Sequence, residues 1–322
     1  KDVSYWSGAI ENIYHALKIK NDKLQIIKID NLNNTLRKIF AFKREIFKYF
    51  KNEKFDDAYN DTVSKNFSDQ IDKKLKRFEN INYILCFDAS LISYLRTDIP
   101  IILWTDLLYS QYYDHYFQKQ KISKKTVKSI KRIESLAIKK TNKVFLPTKW
   151  ALIEAKKKYK KYSKKFHLLH FGPNFKNEIA KKNIRKIISK RSNKKLLLTT
   201  LSVDWQRKGI HKIINLKKIL DKRGIEVELF IIGLKNRMKI KDKNINIIPF
   251  INKNTKNGEK LISNYLVNSH FHILFSNAEA YGISLIEANS RGVPNICFNV
   301  GGIPSVVKNE TNGKVFKRNQ NL

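Results

Sequence analysis

Short apolar runs alternate with longer amphipathic stretches along this chain, and this alternation constrains the fold more than any other feature of the sequence. A short apolar run is typical of a buried strand, whereas apolar residues at helical spacing are typical of a helix packed on a sheet. The pattern therefore predicts an α/β protein. Strands are predicted at 24–29, 83–87, 101–104, 144–147, 166–170, 196–201, 227–233, 245–249, 271–275 and 295–298. Helices are predicted at 9–19, 35–51, 64–78, 91–96, 123–140, 149–159, 209–223, 256–269, 283–291 and 303–308.

The alternation is interrupted once, between residues 172 and 194, by a turn and a polar, Lys-rich segment. A chain of 322 residues is also longer than one hydrophobic core usually serves. We therefore predict an N-terminal Rossmann-like lobe at 1–171, a linker at 172–194 and a C-terminal Rossmann-like lobe at 195–322, with the lobes facing a cleft. Ligands of such sheets bind beyond the C-terminal ends of the strands, so functional residues are expected in strand-to-helix loops.

The chain is strongly basic, with 65 Lys+Arg against 28 Asp+Glu and a formal net charge of +37. Lys outnumbers Arg 53 to 12, and the excess is spread along the whole sequence together with much Asn and Ile. These residues are favoured by A/T-rich codons, so genome composition explains the charge without a ligand. An anionic membrane or an acidic substrate stays open as a partner, and nucleic acid is the partner that this composition favours least. The 42% hydrophobic content excludes global disorder.

A denser Lys cluster lies at 156–165, with Tyr159 and Tyr162 between the charges. Such a cluster can lie on an anionic membrane, where each cation contributes roughly 1 kcal/mol. It can also bind single-stranded nucleic acid through charge and base stacking. The third interpretation is the solvated face of a helix, which needs no partner.

The two cysteines, Cys86 and Cys297, lie in apolar runs, which predicts buried thiols in a reducing compartment. Two cysteines exclude a disulfide scaffold and a cysteine-based zinc cluster. No apolar run approaches the roughly 18 residues that a membrane span needs. The chain opens at Lys1 without an initiator Met and stops at Leu322 shortly after a turn, so we expect a fragment cut at both ends.

The most informative stretch runs from Ser276 to Ala288, between a predicted strand and a predicted helix. Gly282 permits a tight turn there, and the amides of the helix start can face an anion. Glu279 precedes the helix and Glu287 lies about one turn inside it. The Glu279 carboxylate can therefore contact a ligand at the edge of the site, while Glu287 contacts it along the side of the helix. A carboxylate accepts two hydrogen bonds from a diol of a sugar or ribose. The alternative interpretation needs no ligand: Glu279 is then only a carboxylate at a helix start, and Glu287 is a solvated surface residue.

Two further strand-to-helix loops carry residues suited to phosphate. Arg207 and Lys208 precede Gly209 at the start of a predicted helix, where a cation beside helix amides can bind a diphosphate leaving group. Trp6-Ser7-Gly8-Ala9 is a small-residue loop that enters the first helix and allows close approach of backbone to phosphate. Taken alone, each loop has a simpler interpretation: Lys208 is one lysine among 53, and the Ser-Gly loop is an ordinary helix cap and turn. Their equivalent positions favour a shared site.

In this order, the Ser-Gly loop, Arg207-Lys208-Gly209 and Glu279 with Glu287, followed by Gly301-Gly302, resemble a retaining glycosyltransferase of the GT-B fold, family 4 (glycosyl transferases group 1). The two glutamates have the spacing of that family, and Ala280-Tyr281-Gly282 resembles the motif between them. Weaker matches extend the resemblance nearly end to end: Glu134 with Lys149-Trp150, Phe171–Asn174 and Phe250–Lys253.

The resemblance implies a role for each matching residue. Lys208, helped by Arg207, neutralises charge on the departing diphosphate, and Glu279 holds sugar hydroxyls near the anomeric carbon. Glu287 holds the ribose diol. The remaining donor-side residues implied are Gly8, Gly282, Ile283 and Lys253.

The function implied is transfer of a hexose-type sugar, with retention, from a UDP- or GDP-linked donor to a glycan or lipid-linked acceptor. The setting implied is cytoplasmic synthesis of cell-surface polysaccharide, peripheral to the inner face of the membrane. No cofactor is expected, and no metal, because the chain has no Asp-x-Asp and its seven histidines show no ligand spacing. Asp106, after the strand predicted at 101–104, is a weaker candidate for orienting the acceptor hydroxyl.

The sequence departs from the family pattern in three places. Leu201 and Ser202 stand where many members carry a Gly-Arg pair, the first strand of the N-terminal lobe is missing before Trp6, and the C-terminal helices are missing after Leu322. Three alternatives follow: a catalytically silent basic binding protein on the same scaffold, another GT-B enzyme such as a sugar-nucleotide epimerase, and a glycoside hydrolase with paired carboxylates. The phosphate-side lysine disfavours the hydrolase.

Overall fold

The structure, a computed structural model, describes residues 8–116, 121–191, 194–234 and 240–318. Its contacts divide the chain into two compact units, which we call the smaller unit (residues 23–170) and the larger unit (residues up to 22 together with those from 171 onward). We predicted one lobe from 1 to 171, whereas the contacts group the first helix with the C-terminal residues. A hydrogen bond of 2.6 Å from the Asn254 amide to the Glu11 carboxylate contributes to this grouping.

Helices and strands alternate along both units, as the sequence pattern predicts. The smaller unit contains α2 (Asn34–Lys51), α3 (Asp61–Leu75), β1 (Ile84–Cys86), β2 (Ile101–Trp104), α4 (Tyr109–Tyr116), α5 (Lys124–Lys140), β3 (Lys143–Leu146), α6 (Lys149–Lys158) and β4 (Phe166–Leu168). The larger unit contains α1 (Ala9–Lys20), α7 (Lys181–Ser189), β5 (Leu196–Leu201), α8 (Ile210–Lys222), β6 (Val227–Ile232), β7 (Ile245–Ile248), α9 (Lys256–Asn268), β8 (Phe271–Leu274), α10 (Ile283–Asn289), β9 (Asn295–Phe298), α11 (Ile303–Val306) and β10 (Gly313–Phe316).

The smaller unit is built on a four-stranded parallel sheet in the order β1-β2-β3-β4. Along β2 the residues facing the core, Ile101 and Leu103, alternate with half-buried ones. Ile133, Ala137 and Ile138 of α5 are fully buried. Thr148 caps the amino end of α6, because its hydroxyl accepts a hydrogen bond from the Ala151 amide at 3.1 Å.

The larger unit is built on a six-stranded parallel sheet in the order β10-β9-β8-β5-β6-β7. β5 and β8 are neighbours although four other elements, α8, β6, β7 and α9, separate them along the chain, so the strand order reverses between them. The centre of this sheet is apolar and closed to solvent, since Leu198, Leu229, Ile231, Ile273 and Leu274 are buried. The carboxyl ends of β5 and β8 therefore form the switch point at which open α/β sheets bind ligands.

Two predicted elements of the smaller unit are wrong. Residues 24–29 form no strand, because the nearby backbone bonds α3 instead of a neighbouring strand: Lys74 donates to the Lys28 carbonyl at 2.6 Å and Gln70 accepts from the Asp30 amide at 2.7 Å. The helix predicted at 91–96 is only a 3₁₀ turn at Ala89–Leu91, with the Asp88 side chain as its cap.

The segment predicted as a linker contains α7, which packs on the larger unit. A side chain at Gly292 would collide with Ile184 and Ile188 of this helix, so these two side chains pack directly on the backbone of Gly292. Arg191 then ties the end of the segment down by donating to the carbonyl oxygens of Val267 and Gly292, each at 3.0 Å. A sequence with few apolar residues can thus still form an ordered helix when two isoleucines pack on a neighbouring backbone and the following arginine anchors its carboxyl end.

Both cysteines are buried, as predicted, and neither forms a disulfide. Burial raises the pKa of each thiol to about 12. Over the part of the chain that the structure describes, no helix has the length and apolar character needed to cross a membrane.

Candidate functional site

The candidate site lies in the larger unit, where the loops after β5 and β8 run side by side. The Asn277 amide donates to the Arg207 carbonyl at 2.7 Å, which joins the two loops through backbone. Gly209 and Gly282 cap the helices that follow, α8 and α10, and both have left-handed backbone, with φ of 65° and 86°. Each glycine turns the chain sharply from loop into helix and so places the preceding side chains at the carboxyl edge of the sheet.

Gly209 offers a test of how tightly this edge is built. A Cβ atom there would lie 2.3 Å from the Phe275 carbonyl oxygen, whereas a Cβ at Gly224, which also has positive φ, would meet nothing within 4 Å. We expect Gly224→Ala to lower the free energy of unfolding by about 1–2 kcal/mol, the cost of left-handed backbone. Gly209→Ala adds a collision with backbone, and we expect a loss of about 3–5 kcal/mol. Urea unfolding of both variants measures the difference, and equal losses would contradict this packing.

Lys208 and Glu279 form a buried ion pair between the two loops. The Lys208 ammonium lies 2.5 Å from one Glu279 carboxylate oxygen, and each side chain is 10% exposed. The same oxygen accepts a hydrogen bond of 3.2 Å from the Ser276 hydroxyl and lies 3.6 Å from the Arg207 guanidinium. The sequence predicted these three charged residues as one catalytic group, and the structure brings them together. Ser276, which fixes the carboxylate, was not singled out by the sequence pattern.

The group contains two cations and one carboxylate, and this imbalance affects the pKa values of Glu279 and Lys208. Burial alone raises the pKa of Glu279, but the adjacent Lys208 and Arg207 outweigh it and hold that pKa below its usual value. Burial lowers the pKa of Lys208, and repulsion from Arg207 adds to this, while Glu279 opposes both. Two cations therefore face one carboxylate. An ammonium has three donors, so Lys208 can keep Glu279 and still donate to an anionic ligand.

Glu287 forms a second buried pair, with Lys253 in the loop before α9. The Lys253 ammonium bonds one Glu287 carboxylate oxygen, and the Glu287 side chain is 1% exposed. Among the described residues, the other oxygen has no hydrogen-bond partner, and neither does the Ser284 hydroxyl one turn earlier on α10. Buried polar atoms without partners are rare in folded proteins, and a bound ligand or water is one way in which such atoms are satisfied. Ser284 is a site residue that charge spacing could not find.

The amino end of α1 lies against the loop that carries Lys253. Gly8 has φ of 84°, and a Cβ atom there would lie 3.0 Å from the Asn254 side-chain oxygen. The amide of Asn254 bonds Glu11 of α1, as described above, and Gly8 accepts from the Asn12 side chain at 3.1 Å. Trp6 and Ser7, which belong to the same predicted loop, lie outside the described residues.

The remaining predicted residues occupy less distinctive positions. Gly282 is buried and Ile283 is half-buried at the start of α10, beside Glu279. Asp106 follows β2 in the smaller unit, and its carboxylate accepts a hydrogen bond from the Leu107 amide at 2.8 Å. This is a local turn contact, and Asp106 stays a prediction for the acceptor side.

The Lys cluster at 156–165 is partly structural. Tyr159 is buried and donates to Glu134 at 2.6 Å, so its ring is not available for stacking. Lys165 donates to the carbonyl oxygens of Ile138 and Lys139 at the end of α5. Tyr162 is half-buried. These contacts favour a structural role for the cluster, in which Lys165 binds the carboxyl end of α5 and Tyr159 binds Glu134.

His272 lies in β8, directly behind the site, and predicts a pH dependence of stability. It is fully buried beside the Asn295 side chain at 2.8 Å, and burial lowers its pKa from 6.5 to about 4. Between these values the unfolded chain binds more protons than the folded one. The contribution of His272 to stability is therefore complete above pH 6.5 and is lost as pH falls towards 4, by at most about 3 kcal/mol.

Urea unfolding at several pH values between 7 and 4 checks this. We expect His272→Gln to flatten the dependence of the free energy of unfolding on pH in that window. His211→Gln, at an exposed position of α8, is the matched control and should leave the slope unchanged. An equal slope in wild type and His272→Gln would contradict the assignment.

Metal-ligating side chains do not cluster in the described ranges: no group of three or more His, Cys, Asp or Glu is placed to hold an ion. The charge around the site comes instead from Lys208, Arg207 and Lys253.

Comparison with solved structures shows the fold to be α/β with parallel sheets, that of the GT-B glycosyltransferases with two Rossmann-like lobes. Sucrose-phosphate synthase from Thermosynechococcus elongatus matches with a TM-score of 0.58 at 13% identity, over 79% of this chain and 65% of that one. WaaG, a glycosyltransferase involved in lipopolysaccharide biosynthesis, matches with a TM-score of 0.54 at 16% identity, over 81% and 70%. HepE from Anabaena in complex with UDP-glucose matches with a TM-score of 0.53 at 12% identity, over 79% and 68%.

The chain thus spans about two thirds of the length of these proteins. The model of the family described as "Glycosyl transferases group 1" matches residues 180–322. This region includes Lys208, Glu279 and Glu287, together with Arg207 and Lys253. No curated protein sequence matches the chain.

Proposed function

We propose that this protein is a glycosyltransferase that moves a hexose-type sugar from a nucleotide-diphosphate sugar to a glycan or lipid-linked acceptor. One observation carries the proposal: two buried carboxylates, Glu279 and Glu287, stand next to two cations at the carboxyl edge of β5 and β8. The family match over 180–322 covers all of these residues and supports the same assignment. A donor of this kind presents a diol, a diphosphate and sugar hydroxyls, and the site has a group for each.

The cations of the site are assigned to the diphosphate of the donor, and the carboxylates are assigned to its hydroxyl groups. Negative charge grows on the diphosphate as its bond to the anomeric carbon breaks, and Lys208 with Arg207 is placed to stabilise it. Glu279 accepts hydrogen bonds from sugar hydroxyls while Lys208 and Arg207 keep it ionised. The free oxygen of Glu287 accepts from a ribose hydroxyl, and Ser284 offers a hydroxyl to the same ligand. Lys253, Gly8, Gly282 and Ile283 complete the donor side of the site.

Several finer features of the proposal come from the family resemblance. They are membership of family 4, retention at the anomeric carbon, a UDP- or GDP-linked donor and a role in cell-surface polysaccharide synthesis. We also propose that no metal is required, because Lys208 and Arg207 supply the positive charge that the diphosphate needs. The setting proposed is cytoplasmic, peripheral to the inner face of the membrane, with Asp106 on the acceptor side.

Turnover of a donor panel tests the proposal. The protein is incubated with UDP-, GDP- and ADP-sugars, with and without EDTA, and release of nucleoside diphosphate is followed. Release from one donor, insensitive to EDTA, is the expected result. Thermal stabilisation by a nucleotide without release would instead favour a silent binding protein, and conversion of the sugar without release of diphosphate would favour an epimerase. No stabilisation by any nucleotide would contradict the assignment of the site.

A further inference from the structure

Helix α2 of the smaller unit has apolar residues on two sides, and only one side packs against the protein. Phe40 is buried, and with Leu36 and Phe47 it joins a core cluster that contains Phe55 and Val63. This face anchors the helix. Asn33 caps its amino end by accepting from the Leu36 amide at 2.8 Å, so the helix is well defined from its start.

The other apolar side is a continuous exposed stripe of Ile39, Phe42, Tyr49 and Phe50, with half-buried Ile46 between them. Phe42, Tyr49 and Phe50 are 68%, 73% and 86% exposed. At about 100° per residue, these positions fall within an arc of about 100° between residues 39 and 50 of the helix. Scattered exposed apolar residues are ordinary, but a contiguous stripe of large ones marks an interaction surface.

The rest of α2 is strongly cationic. The helix carries six Lys and Arg residues and a single acid, Glu45. Lys38 and Lys43 border the stripe on its two sides. Lys48 lies 5.1 Å from the Tyr49 ring centroid, so its charge stays close to the stripe. An aromatic stripe with a cationic border is the pattern of a helix that lies flat at a membrane interface.

We propose that α2 binds the surface of an anionic lipid bilayer, with Phe42, Tyr49 and Phe50 entering the acyl boundary and Lys38 and Lys48 at the headgroups. Charge complementarity selects this occupant. A second copy of the chain would bring the same cationic border and a net charge of +37 against this one. A nucleic acid would use the cations but leave Ile39 and Ile46 without apolar partners, whereas lipid uses both. The inference names a surface for the proposed peripheral association but does not rest on the transfer chemistry.

Co-sedimentation with vesicles tests the proposal without any nucleotide sugar. The probes are vesicles of pure phosphatidylcholine and vesicles in which about one lipid in three is the anionic phosphatidylglycerol. We expect binding to the anionic vesicles only. Phe42→Ser/Tyr49→Ser/Phe50→Ser should weaken it at least about tenfold. Lys38→Gln/Lys48→Gln should weaken it about 10–30-fold. The charge-matched control Lys156→Gln/Lys157→Gln, on exposed positions of α6, should change it less than about threefold.

A fluorescent label separates contact from indirect effects. Both native cysteines are buried, so Phe50→Cys and the control Ile153→Cys, which replaces a 61% exposed residue of α6, can be labelled selectively. We expect a blue shift on anionic vesicles for the label at position 50 alone. The proposal is overturned by equal shifts at the two positions, by variants of α2 that bind vesicles like wild type, or by capture of a single-stranded oligonucleotide in place of lipid. Unchanged circular dichroism and unfolding midpoints establish that the variants fold.

Discussion

Replacing Lys208 by Met is expected to reduce turnover about 10²–10³-fold, because in the proposed reaction it removes a preorganised cation from the departing diphosphate. The same change removes the nearer of the two cations described beside the buried Glu279 carboxylate and leaves Arg207, 3.6 Å away. Breaking a buried pair in this way costs about 3–5 kcal/mol of stability. Initial rates of nucleoside diphosphate release and urea unfolding measure the two effects on one protein.

The double variant Lys208→Met/Glu279→Gln separates the two effects. It removes both charges, so we expect the free energy of unfolding to recover to within about 1 kcal/mol of wild type. Turnover should not recover, because neither replacement can stabilise the leaving group. Recovery of both would mean that the pair is only structural.

Lys217 provides a matched control. It is a buried lysine of α8, paired with Asp221 at 2.6 Å and Asp242 at 2.7 Å, on the same unit but away from the candidate site. We expect Lys217→Met to lower stability without lowering turnover of the folded protein. Loss of turnover there would indicate that any weakening of this unit abolishes activity, and the test of Lys208 would then rest on the double variant.

Glu287→Gln is expected to raise the Kd of the preferred nucleoside diphosphate about 10–100-fold. Gln keeps the size of the side chain, but its amide cannot accept from both hydroxyls of a ribose and the bonds lose the assistance of charge, worth about 1.5–3 kcal/mol. Isothermal titration with the nucleotide that the donor panel identifies measures this directly. Turnover at saturating donor should fall much less.

The 2′-deoxy form of the same nucleotide makes the test specific. If Glu287 binds the ribose diol, wild type should bind the deoxy form more weakly, and Glu287→Gln should bind the two forms about equally. Glu259→Gln is the control, since Glu259 is also a buried glutamate of the larger unit and accepts from the Asn177 amide at 2.9 Å. A variant at 287 that still distinguishes the two forms would place the ribose elsewhere.

The sequence predicted the larger unit better than the smaller one. β5 begins and ends at the predicted residues because its apolar run is buried at the centre of a parallel sheet, where composition and structure agree. α4 was missed because its apolar positions are tyrosines, which read as polar, and two of them, Tyr109 and Tyr113, bond Asp56. β10 was missed because its four residues include Gly313 and Lys314 at a sheet edge.

The site was predictable only where it is local in sequence. The spacing of Glu279 and Glu287 on either side of a helix start could be read directly, since Glu279 precedes α10 and Glu287 lies about one turn inside it. Spacing alone could not pair them with Lys208 and Lys253, which are 71 and 34 residues away along the chain. Those two lysines were predicted from the equivalent strand-to-helix loops and from the family resemblance. Chain topology brings those cations in. Ser284 was missed for another reason, since only burial without a partner distinguishes it from an ordinary helix residue.

The order of the two units along the chain has a consequence for synthesis on the ribosome. The smaller unit is one continuous segment, so all four of its strands are available once residue 170 has emerged. The larger unit is discontinuous: α1 is made before the smaller unit but contacts the loop at Asn254, more than 200 residues later. During that interval α1 has no surface to pack on, and the central pair β5 and β8 cannot form until β8 is made. Slower translation or a bound chaperone between residues 170 and 275 should therefore raise the yield of folded protein more than the same delay placed before residue 170.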